Sequence, residues 1–375
     1  MDSVVIVGVG VMGASLAWWL AREGVRVTMV DQFEPGDRRA SSGGESRLIR
    51  CSHGSDADYT ASARRARELW RQIEADAGTE LMVECGVAWF AHREDGWEAE
   101  SLTTLARQGI PAERLEPEEA MKLFPALGVS DLAFVLHEPE AGVLHAERAV
   151  RTLAGQAVAH GARLEQAVAR PDGESALVAL DDGRRLEADG VVWACGPWLG
   201  ELFDEHLSLR TTRQDLCFFD GGPAWAEPGV PGWVDFDLAI YGTGDLDGHG
   251  VKAAPDTDGP DLAASAALPG IDPASERAAR DYLALRFPPL ARAPLRSSRA
   301  CRYELTTNGH FVAAPLPGRA GHWMLGGGSG HGFKHGPALA ERFGRALLGG
   351  PALPSHFALT ERGPGRWLRT AGSGI

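Results

Sequence analysis

Val4-Val5-Ile6-Val7-Gly8-Val9-Gly10-Val11-Met12-Gly13, running on to Leu20, is the stretch on which the reading of this chain turns. A buried apolar strand empties into three glycines spaced G-x-G-x-x-G, and a helix follows. Gly8 suits the tight turn, Gly10 lets the backbone approach a pyrophosphate, and Gly13 lets the helix pack on the strand. The helix N-terminus offers N–H groups and the positive end of a dipole to phosphates. A second apolar run, residues 25–30, ends on Asp31, placed where a carboxylate accepts hydrogen bonds from a ribose. Triad, flanking strands and terminal acid together predict an ADP-containing dinucleotide. The turn alone does not separate NAD from FAD.

At 375 residues the chain can bury a full core, and its length predicts about two domains. A formal charge of −14 argues against a nucleic-acid partner or an anionic membrane surface. Five cysteines show neither C-x-x-C pairing nor metal-ligand spacing, so reduced thiols in a cytoplasm are expected. The apolar start lacks a basic region and is broken by glycines, which reads as a strand and not a signal peptide. No run approaches the ~18 uninterrupted apolar residues of a membrane span. Lysine is scarce: Lys122, Lys252 and Lys334 stand against 34 arginines. A retained lysine marks a place for a compact charge with a movable pKa, which arginine does not provide. Lys252 and Lys334 both lie in glycine-rich stretches.

Residues 32–45 form a polar loop suited to wrapping a charged ligand, and it ends in Ser46-Arg47-Leu48-Ile49-Arg50. A helical turn there would put Arg47 and Arg50 on one side. Further helices are expected over 58–75, 98–108, 117–123, 146–160, 273–286 and 337–348. Strands are expected over 82–91, 132–136, 163–168, 190–196, 211–220, 232–241 and 323–325, with a hairpin turning at Asp181-Asp182-Gly183. Cys195, closing a buried strand, reads most simply as a small hydrophobe. Near the end, Gly326-Gly327-Gly328-Ser329-Gly330-His331-Gly332-Phe333-Lys334 opens a second helix. A second glycine cluster of this kind can close one nucleotide site from the far end of the chain. His331 and His335 are four apart, but the glycines there argue against a helical metal pair, and no metal is expected. The tail after Gly363 reads as a mobile end.

Several of these motifs, in this order, resemble those of monomeric sarcosine oxidase and N-methyltryptophan oxidase, within the D-amino-acid-oxidase-like group of FAD amine oxidases. The likeness rests on the first turn with Asp31 and on Gly44-Glu45-Ser46-Arg47-Leu48-Ile49-Arg50. It rests also on Gly250-Val251-Lys252, on Cys301-Arg302-Tyr303 with Gly309-His310-Phe311-Val312, and on Ser329-Gly330-His331-Gly332-Phe333-Lys334. It implies an α/β (α+β, two-domain) chain: a Rossmann-like FAD-binding domain and a substrate domain on a mixed or antiparallel sheet. The expected FAD-binding domain is discontinuous, 1–80, 141–212 and 306–375, with 81–140 and 213–305 forming the substrate domain.

The resemblance also implies roles. Cys301 matches the position that bonds the flavin 8α-carbon through sulfur. Lys252 matches a lysine that promotes oxygen reduction, Arg47 an arginine facing the ring, and Tyr241 and Tyr303 site tyrosines. Arg50 and Lys334 match a pair gripping a substrate carboxylate. The cofactor set it implies is Gly8, Gly10, Val11, Met12, Gly13, Asp31, Gln32, Ser41, Arg47, Cys195, Gly196, Cys301, Gly328, Gly330, His331, Gly332, Phe333 and Lys334. Three departures bear on the substrate: Ser42 and Gly43 where histidine is usual, Asp256 where a site histidine is expected, and Asn308 in place of an aspartate. The implied reaction is oxidation of the C–N bond of a secondary amino acid to an imine, with O2 reduced to hydrogen peroxide, by a monomer. A cyclic amino-acid oxidase shares every motif named. An NAD-dependent dehydrogenase and a non-catalytic flavin-binding subunit are the readings from other classes.

Overall fold

The structure is a computed structural model and describes residues 1–173 and 175–359. The tail after Gly363 and the last part of the expected FAD-binding domain lie outside the described residues.

Ser3–Val7 is buried on both faces, as its unbroken apolar run demands, and sits inside a six-stranded sheet. The sheet order is Val312–Pro315, His322–Gly326, Gly190–Trp193, Ser3–Val7, Arg26–Asp31, Arg163–Gln166. All neighbours are parallel except the edge pair Val312–Pro315 and His322–Gly326. Parallel strands end at one edge of a sheet, so the loops after four of them are gathered there. These loops carry Gly8, the residues after Asp31, Cys195-Gly196 and Gly327-Gly328. Helix Val11–Arg22 is buried along nearly its whole length against helices Ala146–Ala159 and Gly336–Leu347. Gly13 makes the strand contact possible: a Cβ there would stand 1.9 Å from the carbonyl oxygen of Gly8.

The second large sheet has eight strands: Leu295–Thr306, Leu209–Phe219, Val251–Pro255, Ile240–Asp245, Gly232–Asp235, Val87–Ala91, Phe134–Glu138 and Glu113–Leu115. Only Gly232–Asp235 and Val87–Ala91 run parallel, so the sheet is mixed. Its register places Gln214 opposite Cys301, Thr212 opposite Tyr303 and Phe218 opposite Lys252. Helix Pro273–Arg286 is tied to this sheet by Arg286, fully buried and paired with Asp131 and Asp235.

Three expectations change. The run 82–91 is two strands, because Gly86 turns with φ of 82° and sends Met82–Val83 to a small third sheet with Ser46–Ile49 and Gly142–His145. The run 232–241 likewise breaks, after Asp235, into a hairpin that continues through Ile240–Asp245. Arg47 does not sit on a helical turn: Ser46–Ile49 is extended, and Arg50 follows its last residue. Both arginines nonetheless line one cavity.

Candidate functional site

A cavity of about 660 Å3 runs from the first glycine turn to the face of the eight-stranded sheet. At one end it is lined by Gly8, Gly10, Val11, Met12, Asp31, Gln32, Ser41, Cys195 and Gly196. At the other it is lined by Arg47, Arg50, Tyr241, Cys301 and Tyr303, with Gly328, Gly330, His331, Gly332, Phe333 and Lys334 along one wall. Gly13 and Lys252 do not line it: Gly13 packs behind the turn, and Lys252 is buried against Ser46 O and the ring of Tyr241, which does line it.

At the turn, Asp31 accepts from Val9 N at 2.6 Å and from Phe33 N at 2.9 Å. Burial raises its carboxyl above the usual range, and those two N–H groups oppose the rise. Val11 N donates to Ser42 Oγ at 2.9 Å, so the chain's own hydroxyl occupies part of the helix N-terminus. Glu304 accepts from Gly328 N at 2.9 Å with one oxygen, while its Oε2 is buried with no partner. Burial pushes its carboxyl up to about 7. An orphaned buried acceptor beside Gly196 and Gly328 is what a hydroxyl-bearing ligand would satisfy. These residues fit FAD.

The other end is a collection of cations. Arg47 donates to the carbonyls of Ser46, Ser41 and Gly43 at 2.7, 2.7 and 2.9 Å, which fixes its guanidinium over the Phe333 ring. Lys252 is 1% exposed, its Nζ 3.5 Å from Ser46 O and 4.8 Å above the Tyr241 ring. Burial, with Arg47 and Arg299 nearby, lowers it to about 7. Arg50 donates to Ser52 O and to His53 Nε2, and lies over the Trp89 ring at 4.9 Å. Lys334 is buried and donates to His331 O at 3.1 Å. Trp89, Trp97 and Phe236 form an aromatic wall, their rings 4.5 and 5.1 Å apart in sequence.

Cys301 is chemically unlike its fellows. Burial alone would raise its thiol, but Arg47, Arg299 and Lys252 outweigh burial and bring it below the ordinary value. Burial pushes Cys51, Cys85 and Cys217 up to about 12, and raises Cys195 further. A lowered thiol is a nucleophile and a raised one is inert. Tyr303 donates to Asp256 Oδ1 at 2.9 Å, and burial pushes that carboxyl up to about 6.

His331 and His335 do come together, though not as a helical pair. A 3-10 turn, Phe333–His335, brings them to His53, and nitrogens of the three all lie within 4.8 Å of one another. Burial, with Arg50 and Lys334 close by, holds His53 well below its ordinary value, so it is a neutral acceptor for Arg50. Any cation here would sit beside two fixed positive charges. Of the three imidazoles, His53 meets Arg50.

The family model for "FAD dependent oxidoreductase" matches residues 3–345. The chain belongs to this family. It is 28% identical over 363 residues to monomeric sarcosine oxidase of Bacillus sp. (strain B-0618), covering 92% of each chain. It is 25% identical over 347 residues to N-methyl-L-tryptophan oxidase of Yersinia pestis (strain Pestoides F), covering 90% of this chain and 92% of that one. The fold matches L-proline dehydrogenase from P. horikoshii with a TM-score of 0.84 at 20% identity, covering 97% and 99% of the two chains. NikD, an amino acid oxidase of nikkomycin biosynthesis, matches with a TM-score of 0.79 at 22% identity, over 96% of this chain and 98% of that one. The chain is an FAD-dependent oxidoreductase, and the expected likeness to the sarcosine oxidase group holds over nine-tenths of its length. Among the described residues no helix is long and apolar enough to cross a membrane.

Glu304, His53, Trp89, Trp97, Phe236 and the buried Arg299–Glu45 pair, in which Arg299 Nη2 is 2.9 Å from Glu45 Oε2, carry no mark of a role in the sequence. Glu45 lay inside a recognised motif, but its partner is on a strand 254 residues away. Nothing local marks such a pair.

Proposed function

We propose that this FAD-dependent oxidoreductase is an oxidase of the C–N bond of a secondary, N-methyl amino acid, giving an imine and hydrogen peroxide. One observation carries the reading: two cations, Arg50 and Lys334, border the same cavity as the glycine turn, with buried Lys252 beneath its floor. A guanidinium fork and an ammonium suit a carboxylate, and the neighbouring amine is then directed into the cavity. FAD, when bound, accepts two electrons and passes them to O2. Lys252 places a fixed positive charge where oxygen takes on negative charge, and the low dielectric strengthens that attraction. The wall of Trp89, Trp97 and Phe236 keeps water from the reacting bond. Water outside the site hydrolyses an N-methyl imine to amine and formaldehyde.

Cys301 is the proposed point of covalent attachment, because Arg47, Arg299 and Lys252 favour its thiolate. Two of the relatives named above are oxidases of sarcosine and of N-methyl-L-tryptophan, and this supports the substrate class. The same aromatic wall also favours a second reading, a cyclic amino acid, whose imine persists. The further assignments are a discontinuous FAD-binding domain at 1–80, 141–212 and 306–375, a monomeric state and a cytoplasmic location. A peroxide-coupled screen of N-methyl and cyclic amino acids tests the function. Peroxide with formaldehyde supports the first reading, peroxide without it the second, and no peroxide from any of them sinks both.

A further inference from the structure

Four cations gather at the reacting end, Arg47, Arg50, Lys252 and Lys334, and one acid, Asp256, lines the cavity beside them. Of the other acids lining the cavity, Asp31 and Glu304 bind backbone near the glycine turns, and Glu201 binds Ser265. Asp256 directly follows strand Val251–Pro255, which carries Lys252. Its backbone N–H donates to Ala239 O at 2.7 Å, and its Oδ1 accepts from Tyr303 OH at 2.9 Å. The main chain is thus pinned, and one carboxylate oxygen is held by Tyr303, where the side chain borders the cavity.

An amino acid arrives as a zwitterion. Cations for its carboxylate meet half of that need, and an acid meets the other half. We propose that Asp256 is the partner of the substrate's ammonium: it pairs with the cationic nitrogen and takes up one proton from it, breaking the N–H bond and forming O–H on the carboxylate. This rests on the reading of Arg50 and Lys334 as the carboxylate site. The nitrogen is left neutral, with the lone pair that forms C=N as hydride leaves the adjacent carbon, and the acid gives its proton to solvent after product leaves. The groups facing Asp256 are Tyr303, Tyr241, Arg50 and Lys252. Burial raises Asp256 to about 6, with Tyr303, Arg50 and Lys252 opposing. It is therefore ionised at neutral pH yet close enough in affinity to accept a proton.

A pair of isosteric ligands tests this in the holoenzyme, read by perturbation of flavin absorbance. Trimethylammonioacetate carries a fixed cation, and 3,3-dimethylbutanoate has carbon in place of that nitrogen. The wild-type protein should prefer the cationic ligand by about tenfold. Asp256→Asn should erase the preference and Asp256→Glu should keep it. Equal affinities in the wild type, or a preference surviving in Asp256→Asn, overturn the proposal. Binding of neither carboxylate overturns the docking reading, and this proposal with it. Anaerobic flavin reduction supplies a second readout: its rate should fall as pH drops through about 6 in the wild type. An unchanged acid limb in Asp256→Asn overturns the proton transfer.

Discussion

Cys195, half-buried, and Cys301, buried, line the same cavity, yet their thiols move in opposite directions. Cys195 closes a strand of the parallel sheet, donates to Val7 O at 3.2 Å, and has Asp31 and Glu304 as its charged neighbours. Burial and two acids both disfavour a thiolate. Cys301 lies on the eight-stranded sheet among Arg47, Arg299 and Lys252, which favour one. The same contrast divides the whole cavity. The turn end holds through backbone and acids, whereas the sheet end is charged to do chemistry. Burial sets the size of these effects, and the sign of the neighbours sets their direction.

The largest expected effect breaks the comparison at its source. Cys301→Ser should release all flavin colour into the supernatant on acid precipitation, while Cys195→Ser should leave the colour with the polypeptide. The reverse pattern would end the assignment of Cys301. Next comes Lys252→Met, which should slow flavin reoxidation by O2 by about 10²–10³-fold and leave anaerobic reduction nearly unchanged. Stopped-flow measurement of both half-reactions checks it, and equal slowing would remove Lys252 from the oxygen step. In the wild type, reoxidation should fall as pH rises through about 7, because the cation is lost there. Arg50→Lys keeps the charge but loses the fork, so KM should rise about tenfold with little change in kcat. An unchanged KM in steady-state assays would place the carboxylate elsewhere.

The smallest effect concerns the turn end. Glu304 has its carboxyl raised from 4.5 to about 7, mainly by burial. A raised acid stabilises the fold below the unfolded value and loses that contribution as pH rises through the folded one. Glu304→Gln should therefore raise the Tm of FAD-free protein by about 2–4 °C at pH 8 and do nothing at pH 4. Melting curves at the two pH values decide it.

The first strand, the turn and Asp31 were legible because the glycine spacing and the Asp31 hydrogen bond from Val9 N lie within one supersecondary unit. Lys252 and Lys334 stood out for a compositional reason, and both prove buried, whereas Lys122 is exposed. The strand breaks at Gly86 and after Asp235 were not legible. An apolar run continues across each, and only the sheet that receives each half shows where it divides.

By itself the sequence determined the parallel-sheet core, the dinucleotide turn and the identity of the charged groups, since periodicity and glycine spacing are local properties. Tertiary structure alone decided which charges meet. Arg47, Lys252, Arg299 and Cys301 come from three distant stretches, and their coupling depends on distance and burial, which no spacing along the chain encodes. That is why the thiols of two cysteines lining one cavity are shifted in opposite directions.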